Sequence, residues 1–371
     1  MTEASLSQGV PVMACLDPRA PAPKRIAIFR ALQLGDLLCT VPAMRALRRA
    51  YPAAHICLVG LPGARGFVTR FAPYLDELMV FPGIRQFPEQ VADESALPDF
   101  FKAARARRFD LAIQMHGSGS YANEITSALG AAQWGGFVPD CARQETGRFL
   151  AWPDHLPEPL RYLALLAHMG LADSGDGSPE FPLYDEDVSS AAKLLEQHRL
   201  DPARTVVIHP GARLPSRRWP AQRFGDVARA LAQEGWPVAV TGTPDEAQLT
   251  RAVAAKGAEA CVDLCGQTSL GTLAALIQRC RLLICNDTGV SHVAAGVRAP
   301  SVVVASGSDV RRWAPLDQVR HEVLWAPAPC RPCSHHECPI GHPCALAVSV
   351  DAVLERVWLR LESRTFKEAM A

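Results

Sequence analysis

The chain lacks any excess charge: lysine plus arginine and aspartate plus glutamate number 38 each in 371 residues. A balance of this kind supplies no global field for nucleic acid or an anionic membrane, so any anionic ligand must be held by local geometry. Lysine is scarce, with five residues (24, 102, 193, 256 and 367), and the many arginines beside 30 prolines carry no functional weight by themselves. No apolar run approaches the ~18 residues that span a bilayer; the longest pieces resemble Ser301–Ala305. There is no P-loop and no GxSxG elbow, and Gly60, Gly63 and Gly66 are spaced GxxGxxG around Pro62 rather than GxGxxG. An NTPase or a dehydrogenase is therefore disfavoured.

What is present is a chain with 49% hydrophobic residues, long enough for roughly two domains and able to bury a sizeable core. Residues 1–23, rich in Pro, Ser and Ala, read as a loose leader. Glu3 precedes any basic residue, which argues against a secretory signal, although Met13-Ala14-Cys15 faintly resembles a lipoprotein cleavage site. Two blocks then alternate short β-rich runs with helical patterns. In the first, Arg25–Arg30, His55–Gly60, Leu78–Phe81 and Asp110–Met115 read as strands, with helices over Leu37–Ala50 and Pro98–Arg108. Pro157–Gly170 reads as a closing helix and Ser174–Pro182 as the linker. The second block has strands at Thr205–His209, Pro237–Thr241, Ala258–Asp263, Leu282–Cys285 and Ser301–Ala305. Its helices fall over Trp219–Glu234, Ser269–Arg279 and Val290–Val297, and a last amphipathic helix covers Val350–Leu361. Such alternation implies α/β architecture, two Rossmann-like doubly wound parallel sheets with ligands at the C-terminal strand edges.

Three turns at those edges carry candidate chemistry. Leu34-Gly35-Asp36 offers a turn with close ligand approach and a carboxylate; the plainer reading makes Asp36 a helix N-cap. His209-Pro210-Gly211 leads into Arg213, Arg217 and Arg218 ahead of a helix, a combination suited to a diphosphate. Asn286-Asp287-Thr288-Gly289, followed by Ser291 and His292, repeats the arrangement at a later strand end, where Asp287 or Thr288 could equally be no more than caps.

A fourth motif stands apart. Cys330-x2-Cys333-x4-Cys338-x5-Cys344 gathers four of the twelve cysteines among several prolines, a pattern open to a structural zinc or iron, with His335, His336 and His342 as substitute ligands. Free thiols in a reduced loop, or two disulfides, are the alternatives. Four thiolates would leave no open coordination position, so the loop would brace rather than catalyse.

Taken in order, Arg30, Leu34-Gly35-Asp36, Val41-Pro42-Ala43-Met44-Arg45-Ala46-Leu47, Tyr51-Pro52, Pro210-Gly211, Arg217-Arg218-Trp219-Pro220, Gly242, Leu264-Cys265-Gly266, Ser269-Leu270 and Asn286–His292 resemble glycosyltransferase family 9, the ADP-heptose:lipopolysaccharide heptosyltransferase family. The resemblance runs from about Lys24 to Val353. It implies a GT-B fold whose two Rossmann-like domains face across a cleft, residues 24–178 binding the acceptor and 183–349 the nucleotide-sugar, with a Cys-rich loop at 329–344 and a C-terminal helix at 350–371. By this resemblance the enzyme inverts, needs no cofactor for transfer, and uses Asp36 as general base. Gly211, Arg213, Arg217, Gly242, Gly266, Asp287, Thr288, Gly289 and His292 would bind the donor, and Gly35 and Arg30 would lie on the acceptor side. Arg217 stands where the family motif has lysine, and Gly211-Ala212 where a hydroxyl residue is common.

The implied partners are an ADP-sugar and a lipopolysaccharide-core acceptor, with no nucleic acid. The expected location is cytoplasmic, with peripheral contact to the inner membrane through helix arginines such as Arg45, Arg48, Arg49, Arg105, Arg107 and Arg108; a solvated helix face is the plainer reading of those arginines. A protein acceptor, or a non-catalytic nucleotide-sugar binding protein, are the alternative functions.

Overall fold

In a computed structural model the described residues are 21–139, 147–172 and 175–362. Residues 1–20 of the expected leader, with its Met13-Ala14-Cys15, and Ser174 of the expected linker lie outside them. The chain forms two units. The first gathers residues up to Gln33, Ala43–Asp154 and Leu160–Asp176; the second gathers Leu34–Pro42, His155–Pro159 and the chain from Gly177. Two short stretches from the first half of the sequence thus belong to the second unit.

The first unit is built on a six-stranded sheet. Its strands are β1 (Arg25–Phe29), β2 (His55–Gly60), β3 (Glu77–Val80), β4 (Leu111–Gln114), β5 (Gln133–Val138) and β6 (Phe149–Ala151). They run in the order β3-β2-β1-β4-β5-β6 and every pairing is parallel. Central strands read as near-continuous apolar runs because helices cover both faces, and Ile26 to Phe29 and Ile56 to Val59 are fully buried. The second sheet repeats the plan with β7 (Val206–His209), β8 (Val238–Val240), β9 (Cys261–Asp263), β10 (Leu282–Asn286), β11 (Ser301–Val304) and β12 (His321–Leu324). Its order is β12-β11-β10-β7-β8-β9, again all parallel. Phe224, Val227 and Leu231 of the helix Ala221–Gln233, with Trp219 just before it, pack over Val206, Ile208 and Val240, and Val353, Val357 and Leu361 of the last helix join the same core.

In each sheet the strand order reverses beside the first strand, between β1 and β4 and between β7 and β10. Doubly wound folds bind ligands at the carboxyl ends of such strands. One expected element differs here. The helix expected over Leu37–Ala50 is two helices, Leu34–Leu38 and Val41–Ala50. Thr40 folds its N–H and hydroxyl back onto the Leu37 carbonyl, at 3.0 and 2.6 Å, closing the first helix. Pro42 has no N–H to give and is tolerated only in a first turn, so a new helix begins around it. Asp36 consequently lies inside a short helix rather than at an N-cap. The helix Asp185–Gln197, which no sequence expectation covered, opens with an acidic turn in which the Asp187 carboxylate accepts from the Tyr184 N–H at 3.0 Å.

Candidate active site

At the reversal point of the second sheet one side chain ties two turns together. Asn286, at the end of β10 and fully buried, donates from Nδ2 to the carbonyl of Pro210 at 2.7 Å and accepts from the Trp219 N–H at 2.7 Å. The Pro210-Gly211 turn and the loop after Asn286 are therefore held as one edge. Thr288 caps the helix Gly289–Gly296 by accepting from the Val290 N–H at 3.2 Å, while Ser291 donates its hydroxyl to the Thr288 carbonyl at 2.7 Å. A helix start so fixed supplies directed N–H dipoles suited to negative charge.

The helix Leu34–Leu38 lies directly on that start. A Cβ at Gly35 would come within 3.2 Å of His292 Cδ2 and 3.3 Å of Gly289 Cα, so the approach relies on glycine at 35. Cys39 Sγ is 3.7 Å from His292 Nδ1, and the Trp313 ring meets the imidazole edge-on at 6.3 Å. Burial pushes the His292 pKa down, while the negative charges of Asp287, Asp36 and Glu158 act to raise it. Asp36, Asp287 and His292 are thus brought together within one unit, and with them Glu158, a residue not singled out from sequence. Glu158 is buried and accepts both arms of the Arg312 fork, at 2.6 and 3.2 Å.

The arginine turn is a 3₁₀ turn, Pro215–Arg217, and the cysteine-rich loop holds it from outside. Ser216 gives its N–H to the His336 carbonyl at 3.0 Å and its hydroxyl to the His335 carbonyl at 2.6 Å. His342 Nε2 lies 2.9 Å from the Ser216 carbonyl, and Arg217 Nη2 donates to the Cys333 carbonyl at 2.7 Å. Arg217 Nη1 is buried with no hydrogen-bond partner in the structure. Arg218 turns its Nε to the Ala212 carbonyl at 2.8 Å, and Arg213 is exposed.

Among the described residues no group of three or more His, Cys, Asp and Glu side chains is arranged to hold a metal. Cys330, Cys333, Cys338 and Cys344 are free thiols; Cys338 Sγ accepts the His342 N–H at 3.1 Å, and Cys344 is buried, which raises its pKa. Backbone hydrogen bonds, including Cys333 N–H to the Gly307 carbonyl at 2.7 Å, fasten the loop.

Further along the same edge, a side chain at Gly211 would have to displace the carboxylate of Glu246. An added Cβ would lie 2.0 Å from Glu246 Oε1, and that carboxylate is fixed by accepting the Thr243 N–H at 2.9 Å. Gly242 is hemmed in by Thr250 Cγ2 at 2.7 Å, and Gly266 takes a positive φ of 71°. Glu246 also faces the buried His209, whose pKa burial lowers. Sequence reasoning passed over Glu246, although Thr243-x-x-Glu246 is a readable capping-box pattern.

In the first unit, Arg30 is fully buried. It donates to the Met115 carbonyl and, at 2.6 Å, to the Tyr162 hydroxyl, and its guanidinium lies 4.5 Å above the Tyr162 ring. Of the arginines considered for membrane contact, Arg48 pairs with Asp76 at 2.5 Å, Arg107 with Glu77 at 2.5 Å, and Arg45 reaches the Asp176 carbonyl at 2.7 Å. No helix among the described residues is long and apolar enough to cross a membrane.

A carboxylate beside a buried histidine, a capped helix start, an arginine with an unpartnered nitrogen and close-packed glycines together suit the binding of a phosphorylated donor and the removal of a proton. The sequence model described as glycosyltransferase family 9 (heptosyltransferase) matches residues 98–343. The chain belongs to glycosyltransferase family 9. This family 9 transferase is 25% identical over 300 residues to lipopolysaccharide heptosyltransferase 2 of Escherichia coli K12, covering 76% of this chain and 82% of that protein. It is 34% identical over 113 residues to lipopolysaccharide heptosyltransferase 3 of the same strain, covering 30% of this chain and 33% of that one. In fold it resembles a family 9 glycosyltransferase from Veillonella parvula, with a TM-score of 0.75 and 22% identity over 91% of this chain and 97% of that chain. The E. coli ADP-heptose lipopolysaccharide heptosyltransferase II gives a TM-score of 0.67 at 20% identity, covering 91% of this chain and 98% of that one. The fold is accordingly GT-B, and the chain is a glycosyltransferase.

Proposed function

We propose that this enzyme moves heptose, or a related sugar, from an ADP-sugar to a lipopolysaccharide-core acceptor with inversion at the anomeric carbon. The observation that carries the reading is the packing of Gly35, the residue before Asp36, onto Gly289 and His292, in the same unit as the Arg217 turn. The similarity to heptosyltransferases 2 and 3 supports the sugar and the acceptor class.

In this reading Asp36 takes the proton of the acceptor hydroxyl as its oxygen bonds to the anomeric carbon and the bond from that carbon to the diphosphate oxygen breaks. A carboxylate is a weak base, so proton removal accompanies an advanced, oxocarbenium-like displacement. The departing ADP gains negative charge, which Arg217 and the N–H groups at the start of the Gly289–Gly296 helix meet more strongly in the transition state than before it. Gly211, Gly242 and Gly266 let the backbone approach the nucleotide, Arg213 and Thr288 add donors, and Asp287 faces the sugar. No cofactor takes part in the transfer. A lipid-linked acceptor would be met by peripheral contact on the cytoplasmic side.

The test is mass-spectrometric assay of transfer from ADP-heptose to a core acceptor lacking that heptose, with product anomer assigned by NMR. A heptosylated product of inverted configuration is expected. Transfer to no glycan acceptor, or retention of configuration, would overturn the reading.

A further inference from the structure

Two segments from the first half of the sequence, Leu34–Pro42 and His155–Pro159, belong to the second unit, and each carries one carboxylate whose charge acts on His292. Asp36 arrives on the first. Glu158 arrives on the second, with no exposed surface, and is gripped at both oxygens by Arg312, which is 154 residues away in sequence. The guanidinium of Arg312 stacks 4.5 Å from the Trp313 ring, and Trp313 in turn packs edge-on against His292. A buried carboxylate paired in this way is fixed in orientation, since losing either partner would leave the other charge uncompensated.

Resting on the function proposed above, we propose that Glu158 is a positioning residue of the transfer centre: its carboxylate locks Arg312, whose guanidinium stacks on Trp313, and so fixes the ring against which the His292 imidazole packs. Among the described residues the charges of Asp36, Asp287 and Glu158 act on His292, Cys39 of the Leu34–Pro42 segment lies 3.7 Å from its Nδ1, the Trp313 ring packs edge-on against it, and its own charge acts on His321 of β12. Asp36 and Asp287 lie on segments tied to the edge that carries the donor turns. Glu158 does not, and its Arg312 fork is the feature that links it to the ring's other wall. Displacing the imidazole would disturb the turn on which Asp36 rests, and misplacements of about 1 Å at a reacting group cost on the order of 100-fold in rate.

The test is Glu158→Gln in the full-length enzyme, read by transfer kinetics and by 1H–13C NMR of the His292 ring, with Glu158→Asp and Arg312→Lys alongside. The expected result for Glu158→Gln is a kcat lower by about 10- to 100-fold with donor KM within about threefold, and displaced His292 ring signals. Glu158→Asp, which keeps the charge, recovers part of both. Folded Glu158→Gln with unmoved His292 signals and wild-type kcat overturns the proposal, as does a loss of rate with the signals unmoved. If the wild type transfers to no acceptor, the function proposed above fails while the His292 signals still decide this point. Should Glu158→Gln not fold, Arg312→Lys, which keeps charge and loses the fork, decides it by the same two readouts.

Discussion

The two sheets share one topology and use their reversal points in opposite ways. Beside β1 and β4 the first unit fills the position with its own side chains. His116 is stacked between Phe87 at 4.2 Å and Phe29 at 5.3 Å, its Nδ1 accepts the Ala31 N–H at 3.2 Å, and Arg30 is bound to Tyr162. Beside β7 and β10 the second unit withdraws its side chains. Glycine stands at 211, 242 and 289, Asn286 braces the backbone, and Arg217 keeps a buried nitrogen without a partner. Topology therefore supplies a reversal point in both sheets, while side-chain size and hydrogen-bond satisfaction decide how each one is filled.

The largest effect that would test this contrast concerns the carboxylate docked on the second unit. Asp36→Asn should lower kcat by about 10²- to 10⁴-fold in a transfer assay, with ADP affinity retained in calorimetry. Retained turnover would remove Asp36 from the chemistry. Next comes Gly211→Ala, whose Cβ meets the fixed Glu246 carboxylate at 2.0 Å. It should weaken donor binding by about tenfold or more and cost roughly 1–3 kcal/mol of stability.

The filled crevice of the first unit has a pH signature. Burial, with the nearby positive charge of Arg30, lowers the His116 pKa from 6.5 to about 3, so the folded chain holds it neutral. Its contribution to stability is full above about pH 6.5 and is lost as the pH falls toward 3, because the unfolded chain takes up the proton first. His116→Phe, which keeps the stack, should therefore shrink the stability difference between pH 7.5 and 4.5 by roughly 2–3 kcal/mol in urea unfolding. An undiminished difference would mean that His116 is not held neutral. The smallest effect is expected at Gly63, where an added Cβ meets nothing within 4 Å. Gly63→Ala should leave donor binding unchanged and stability within about 0.5 kcal/mol; a large loss there would erase the distinction between spacer glycines and close-packed ones such as Gly211.

Much of this was legible in the sequence because its signals are local. Alternation of apolar runs with helical periodicity announces parallel sheets, and the ordered motifs from Asp36 to His292 announce the family. The break at Thr40 was less visible, since Leu38, Val41 and Met44 keep a helical spacing across it and only Pro42 marks the new start. The cysteine spacing marked the loop, but nothing local in it announced the hydrogen bonds that fasten it to Ser216, Arg217 and Gly307. Spacing records how close thiols are along the chain and not where their Sγ atoms point. Glu158 had no local signal at all. An acidic residue at a helix start reads as a dipole complement, and the bond to Arg312 that gives it meaning exists only once the chain has folded.

The central claim, that the second unit is the donor unit and its arginine turn receives the diphosphate, is tested most directly by calorimetric titration with ADP-heptose, ADP-glucose and UDP-glucose. Wild type should bind ADP-heptose in preference to the other two. Arg217→Ala should lose about 10- to 100-fold in affinity, the scale of a charge-assisted hydrogen bond, while His116→Phe in the first unit should bind as wild type does. Preference for UDP-glucose, or undiminished ADP-heptose binding by Arg217→Ala, would contradict the account.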